Sequence, residues 1–346
     1  MSESFRVGLT RDFLRPDGTL GFGDIGLDVL KTRPNVAYEF LAEDTPELTP
    51  AQIRDYDALL VLAPRITATT LQGAERLALV ARFGVGYDSV DVDACTKNGV
   101  ILTITPDGVR RPVAVSVVAY VLALSLKLTI KDRLVRDGRW GDKLNYMGTG
   151  VTGRTLGVIG MGNIGREILA LARPLGMRHL ATDPYLSSEQ ARSIGVELVD
   201  LETLLRQSDF ISINCALTPE THHLINAPRL ALMKPTAYLI NTARGPIVDQ
   251  RALTDALRAG RIQGAALDVF EREPIDAADP LLELENVILG PHGICWTDEC
   301  FHGNGVSACE SILAVASGQI PHYVVNRAAT EHPLFLRKLA RFASDS

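Results

Sequence analysis

The chain has 346 residues, which suggests two domains at about 150 residues each. A hydrophobic fraction of 46% and a charged fraction of 22% exclude disordered, collagen-like and low-complexity architectures. The formal net charge is −6 and the basic residues are scattered, so no nucleic-acid partner is expected. Cys95, Cys215, Cys295, Cys300 and Cys309 form no CxxC pair, so neither a disulfide framework nor a structural metal site is expected. The opening Met1-Ser-Glu-Ser-Phe-Arg lacks the basic and apolar regions of a signal peptide, and a cytoplasmic location is expected.

Along the chain, short runs rich in Val, Ile and Leu alternate with helical stretches. Strands are expected at 5–10, 58–63, 78–83 and 100–105, with helices at 50–56 and 70–77 between them. A long apolar helix is expected over 113–131. Its uninterrupted apolar stretch, Val113 to Leu126, is shorter than the roughly 20 residues that span a bilayer. It reads as a helix buried in a core or a subunit interface, with no membrane partner. After a polar, Gly-rich stretch at 137–154, strands are expected at 155–160, 179–183, 210–215, 237–241, 265–269 and 287–289. Helices are expected at 164–175, 201–207, 227–232 and 250–259, and the tail from Glu299 is mostly helical. Strands alternating with helices at this spacing indicate an α/β fold with doubly wound parallel sheets.

The strand from Thr155 runs into Gly160-Met-Gly162-Asn163-Ile164-Gly165, and a helical pattern follows at once. In that setting Gly160 permits a tight turn, Gly162 lets the backbone approach a pyrophosphate, and Gly165 lets the helix pack closely on the strand. The helix N-terminus offers free N–H groups to the phosphates. Asp183 closes the next strand, where a carboxylate can accept both ribose hydroxyls. It would repel a 2′-phosphate, and no Arg or Lys follows directly, so NAD is expected rather than NADP. Three polar groups, Arg244, Glu273 and His292, follow later strands on the edge where open α/β sheets bind ligands. A cation, a carboxylate and an acid are the parts that hydride transfer to a carbonyl needs.

Over roughly residues 55–326 the chain resembles the D-isomer-specific 2-hydroxyacid dehydrogenases. The resemblance rests on Gly84-Val-Gly-Tyr-Asp88, the glycine fingerprint, Leu217-Thr-Pro-Glu-Thr221, Asn241-Thr-Ala-Arg-Gly245, Asp268-Val-Phe-Glu-Arg-Glu-Pro274 and Gly290-Pro-His292. It implies that Arg244, Glu273 and His292 carry catalysis, and that Asn163, Ile164, Asp183, Thr242, Ala243, Asp268 and the backbone after His292 contact the cofactor. It also implies that the N–H groups of Val85 and Gly86 hold the substrate carboxylate. The implied fold has two Rossmann-like doubly wound domains. An NAD-binding domain at 106–296 is inserted into a discontinuous, flavodoxin-like substrate domain at 1–105 and 297–346. The long helix would lie at a two-fold interface, giving a homodimer.

Some positions depart from the family pattern. Ser116 stands where a glutamate is usual, Gly293-Ile-Cys-Trp296 replaces a run of small residues, and Arg110-Arg111 precede the long helix. Trp296, Arg110 and Arg111 are therefore candidate specificity residues. Arg65 is the one basic residue in the loop that holds a phosphate in phosphoglycerate dehydrogenases, and it stands out of register. The expected activity is NAD-dependent interconversion of a 2-keto acid and a D-2-hydroxy acid, a small molecule, with His292 as acid/base, Arg244 polarising the keto oxygen and Glu273 orienting the histidine. A small or medium polar acid such as glyoxylate or hydroxypyruvate fits best. The rival is a non-catalytic NAD-sensing regulator of the same fold, like the C-terminal-binding corepressors. Formate oxidation is a lesser rival, since that branch usually has Gln in place of Glu273.

Overall fold

The computed structural model describes residues 4–342, and the chain divides into two compact units. The first comprises 1–112 and 296–346, and the second 113–295. The changeover lies inside a helix, Pro106–Leu126, rather than before it. The first turn of this helix belongs to the first unit because Gly108 lies against the Asn304 backbone, where a Cβ would come within 2.6 Å of its Cα. The neighbouring Asp107 also accepts the Tyr323 hydroxyl at 2.5 Å.

The first unit holds five parallel strands: β1 Phe5–Leu9, β2 Val36–Phe40, β3 Ala58–Val61, β4 Leu79–Arg82 and β5 Ile101–Thr103. Their order is β2-β1-β3-β4-β5, the flavodoxin-like winding. Successive side chains of a strand point to opposite faces. Along β3, Ala58 and Leu60 accordingly enter one core, while Leu59 and Val61 enter the other. Both faces are covered, which is why these strands read as unbroken apolar runs. One core is completed from the far end of the sequence, by Phe301, Cys309, Ile312 and Val315 of the helix Asp298–Ala316 and by Phe335 and Leu339 of Pro333–Ala340.

Lys338 on that last helix is buried, and its ammonium donates to the carbonyl oxygens of Ala74, Leu77 and Asn98 at 3.0, 2.7 and 2.8 Å. Burial pushes Lys338 down to about 8. Lys338→Met should lower the unfolding free energy in urea by about 2–3 kcal/mol at pH 7, since the carbonyls lose their donor. The unfolded chain keeps this proton up to its ordinary value of 10.5, whereas the folded one releases it near 8. The wild type should therefore gain stability relative to the variant as pH rises between those values. A difference that shrinks over this window would contradict the assignment.

The second unit holds seven parallel strands: β6 Thr155–Ile159, β7 Arg178–Thr182, β8 Glu197–Leu198, β9 Phe210–Ile213, β10 Tyr238–Asn241, β11 Gly264–Leu267 and β12 Val287–Leu289. Their order is β12-β11-β10-β9-β6-β7-β8. The winding reverses between β6 and β9, so a crevice opens beyond the carboxyl end of β6, where the glycine loop stands.

Several elements differ from the sequence expectation. β2 and the two-residue β8 were not anticipated; both are edge strands, and β2 alternates half-buried with exposed positions. Residues 70–77 form hydrogen-bonded turns, not a helix, because Gly73 adopts φ 71° and the Thr67 and Thr70 side chains bind each other's backbone N–H groups. The long helix stops at Leu126; Lys127 is left-handed at φ 51°, and a second helix, Leu128–Arg136, follows. Starting at Pro106, the first of these has 21 residues and is long and apolar enough to cross a membrane by length and composition. Here Ala114, Val117, Tyr120, Val121 and Leu124 fill the second unit's core with Leu156, Val158 and Ile240. The end of the expected helical tail, 343–346, lies outside the described residues.

Candidate active site

At the carboxyl end of β6, Gly160 takes φ 94°, and a Cβ there would meet the Cys215 backbone N at 2.7 Å. Gly165 opens the helix Asn163–Ala172, and a Cβ on it would run into the Gly160 carbonyl. Gly162 is different. An added Cβ would meet nothing within 4 Å, so no contact within the protein requires glycine there. Gly162 is also the N-cap of the helix and offers no side-chain cap, which leaves the first N–H groups, including those of Asn163 and Ile164, without one. Bare backbone at a helix N-terminus fits a pyrophosphate. Asp183 lies just past β7, with Oδ2 accepting from Met161 N at 2.7 Å and Oδ1 from Tyr185 N at 2.8 Å. It therefore shapes the glycine loop as well as offering a carboxylate at its edge.

On the other side of the switch point, β10 delivers Arg244. Asn241 builds this turn: its Oδ1 accepts from Ala243 N at 3.0 Å, and its Nδ2 donates to Arg244 O at 2.9 Å. Arg244 donates from Nη1 to the Ala243 carbonyl at 2.7 Å. The Thr242 hydroxyl is buried and finds no hydrogen-bond partner among the described residues. A Cβ on Gly245 would run into the Phe270 carbonyl, so the Arg244 turn lies backbone to backbone against the loop that follows β11.

That loop carries Asp268 and Glu273. Glu273 Oε1 accepts from Phe270 N at 2.9 Å, and Oε2 stands 2.6 Å from His292 Nδ1. Burial pushes the Glu273 carboxyl up. The His292 hydrogen bond, the Phe270 N–H and the charges of His292 and Arg244 more than reverse this, and it titrates below the ordinary carboxylate range. An ionised carboxylate only accepts, so Nδ1 of His292 carries the proton and Nε2 is left on the far side of a half-exposed ring. His292 itself is left-handed at φ 54°. Buried Asp268 accepts from Gly293 N at 3.1 Å and Ile294 N at 3.2 Å, pinning the backbone just past the histidine.

The second unit thus gathers the glycine loop, Asp183, Thr242, Ala243, Arg244, Asp268, Glu273 and His292 on or beside one sheet edge. Sequence reasoning missed Asn241, although an Asn ending a strand and bonding its own backbone two residues on is a readable turn signal. It also missed a second close pair, His223 Nε2 to Glu271 Oε1 at 2.6 Å. In the first unit, Val85 and Gly86 are half-buried on the loop after β4. Thr105 holds that loop by accepting Gly84 N at 2.8 Å while donating to Asn304 Oδ1 at 2.6 Å. Trp296 is neither a core residue nor isolated: it is 54% exposed and packs edge-on against Phe22 and Phe301. Arg65 pairs with Glu47 at 3.1 Å, Arg110 and Arg111 are exposed, and Ser116 is buried.

Residues 118–293 match the family described as D-isomer specific 2-hydroxyacid dehydrogenase, NAD binding domain. The chain is 41% identical over 280 residues to a glyoxylate reductase of Korarchaeum cryptofilum, covering 80% of this chain and 84% of the relative. It is 39% identical to a D-3-phosphoglycerate dehydrogenase of Methanocaldococcus jannaschii, covering 82% of this chain and 54% of that longer protein. Among solved structures, a D-lactate dehydrogenase from Aquifex aeolicus complexed with NAD and lactic acid superposes with a TM-score of 0.80 at 29% identity. That match covers 92% of this chain and 99% of the other. A bare glycine loop on a Rossmann sheet, a paired histidine and carboxylate beside it, and these likenesses together establish an NAD-dependent oxidoreductase of 2-hydroxy acids, and the chain belongs to the D-isomer-specific 2-hydroxyacid dehydrogenase family.

Proposed function

We propose that the protein reduces a short 2-keto acid such as glyoxylate or hydroxypyruvate to the D-2-hydroxy acid, or runs the reverse reaction, with His292 as the proton donor. The reading is carried by the 2.6 Å Glu273–His292 contact, which fixes the ring by Nδ1 and leaves Nε2 to give a proton to the nascent alkoxide. Bound NADH supplies the hydride. Arg244, braced on its own turn, polarises the keto oxygen and pairs with the carboxylate of the substrate. Asp268 is committed to two backbone N–H groups and keeps the loop in place instead of transferring protons. The glyoxylate reductases among the relatives support a small acid. The test is turnover of a panel of 2-keto acids with NADH; a protein that binds NADH yet turns over none of them would be a sensor, and the reading would fail.

NADH is the proposed cofactor in preference to NADPH, with Asp183 as the discriminating charge. Equal kcat/KM with the two cofactors would refute this. Asp183→Ala should narrow the preference by about tenfold or more, on the scale of one charged interaction. It should also weaken binding of both cofactors, because it frees the Met161 N–H that shapes the glycine loop.

A cytoplasmic homodimer is proposed as the working form. Leu126, Leu128, Val135, Trp140, Leu144 and Met147 are all more than half exposed within one short stretch of the second unit. Clustered exposed apolar side chains mark an interaction surface. Light scattering at micromolar concentration should give twice the chain mass, and Trp140→Asp with Leu144→Asp should halve it. A wild-type mass of one chain would refute the dimer.

A further inference from the structure

We infer that His223 is a positioning residue for the catalytic pair: its backbone holds the turn that carries Arg244, its ring holds the loop that carries Glu273, and the one residue fixes the two against each other. This rests on the reading of His292 given above.

His223 lies on the segment between β9 and β10. Its N–H donates to the Pro246 carbonyl at 2.8 Å, and two residues on, Ile225 N donates to Ile247 O at 3.0 Å. Both acceptors belong to the short turn Gly245–Ile247 that Arg244 opens. On its other side, His223 Nε2 stands 2.6 Å from Glu271 Oε1. A carboxylate only accepts, so this nitrogen carries the hydrogen. Two further bonds converge on Glu271: Gln250 N donates to the same Oε1 at 3.2 Å, and Glu271 N donates to Gln250 Oε1 at 3.1 Å. The preceding residue, Phe270, gives its N–H to Glu273 Oε1 at 2.9 Å, and its carbonyl is the group that a Cβ on Gly245 would strike. The clamp on Glu271 therefore holds the stretch of backbone that orients the carboxylate paired with His292.

The backbone of His223 supports a role beyond surface pairing. It is left-handed at φ 48°, as His292 is at 54°. Such a conformation is costly for a residue with a side chain and persists where surrounding contacts impose it. His223 and Glu271 are 39% and 36% exposed, and an ion pair so exposed contributes little to stability. Its consequence lies in what it holds. His223 faces Glu271 and the ring of His222, stacked on it at 4.1 Å between centroids. His292 faces Glu273 and Asp268, and Arg244 faces Glu273 from the turn after β10. With the clamp released, Glu273 is free to draw away from Nδ1, and the charged ring of His292 loses support.

The test uses the full chain with His223→Asn. Asn tolerates a left-handed backbone, but its side chain is shorter than the ring and gives up the bond to Glu271. In the cofactor-free protein, the NMR titration midpoint of the His292 ring, assigned by its loss in His292→Ala, should move down by roughly half a pH unit, a part of what an adjacent opposite charge supplies. Removal of a positive charge at His223 would by itself move it up, so the sign separates positioning from electrostatics at a distance. In keto-acid reduction at mildly alkaline pH, kcat should fall roughly tenfold, within the 10²-fold that a misplacement of about 1 Å can cost, with KM for NADH within about twofold. A midpoint that stays or rises overturns the proposal whatever the rate does, and so does a lowered midpoint with kcat unchanged. Should His223→Asn not fold, Glu271→Ala decides by the same midpoint, read in 1 M salt, where charges are screened beyond roughly 3 Å. A wild type that reduces no keto acid sinks the functional reading instead, and the midpoint in the cofactor-free protein then decides the role of His223 by itself.

Discussion

His292→Ala should lower kcat for keto-acid reduction by roughly 10²–10⁴-fold, the usual loss when a general acid is removed. KM for NADH should change little, since the glycine loop and Asp183 are untouched. The companion variant is Glu273→Gln. The wild-type carboxylate titrates below the ordinary range, so it is fully charged throughout the working range and supports the protonated ring beside it. The amide is close to isosteric but uncharged. Reduction consumes the ring proton, so its rate falls as pH rises. Without the carboxylate the charged ring is less favoured, and that fall should come at lower pH. Oxidation of the hydroxy acid needs the ring as a base, so its rise with pH should shift in the same direction. Profiles for both directions that stay in place in the Gln variant would show that the 2.6 Å contact has no catalytic consequence.

Arg244→Met should lower kcat/KM by roughly 10²–10³-fold, as for loss of a donor to a developing oxyanion. Arg244→Lys should recover little of it. The guanidinium is a planar fork of several N–H donors, held by Nη1 on the Ala243 carbonyl; an ammonium is a single point that cannot reproduce that geometry. The loss should appear in kcat as well as in KM, because the keto oxygen gains charge only as hydride arrives. A loss confined to KM would mean that Arg244 binds the carboxylate and leaves the carbonyl alone.

What was legible in the sequence follows from where local chemistry decides the structure. The glycine fingerprint could be read because strand, turn and helix are contiguous, and each glycine has its own reason. Arg244, Glu273 and His292 could be read because parallel strands all end on one edge, so residues after strands converge without any knowledge of distance. The resemblance supplied the division into a discontinuous and an inserted domain, which no local pattern shows. The end of the long helix at Lys127 was hidden because a left-handed lysine has no sequence signature. The turn at 70–77 imitates a helix in composition, and its side-chain bonds to backbone, with Gly73 at positive φ, decide against it. Thr105 and Asn304, which staple the Gly84 loop, are distant in sequence and meet only in the folded chain. Asp183 could be placed at the end of its strand, but its bond to Met161 N could not.

The discontinuity of the first unit bears on how the chain is made. A ribosome delivers β1 to β5 early, yet the cover of one face of that sheet is completed only when the helices Asp298–Ala316 and Pro333–Ala340 emerge. The whole of 113–295 is synthesised in between. At about 5–20 residues per second this interval is roughly 10–40 s. For that time Phe5, Val7, Leu9, Leu60 and Leu79 lack the helices they finally pack against, whereas the second unit has every strand it needs once β12 is made, before Asp298 is reached. The nascent chain should therefore engage holding chaperones through its N-terminal sheet, and a stop codon placed just before Asp298 should release a folded NAD-binding unit joined to an aggregating stub.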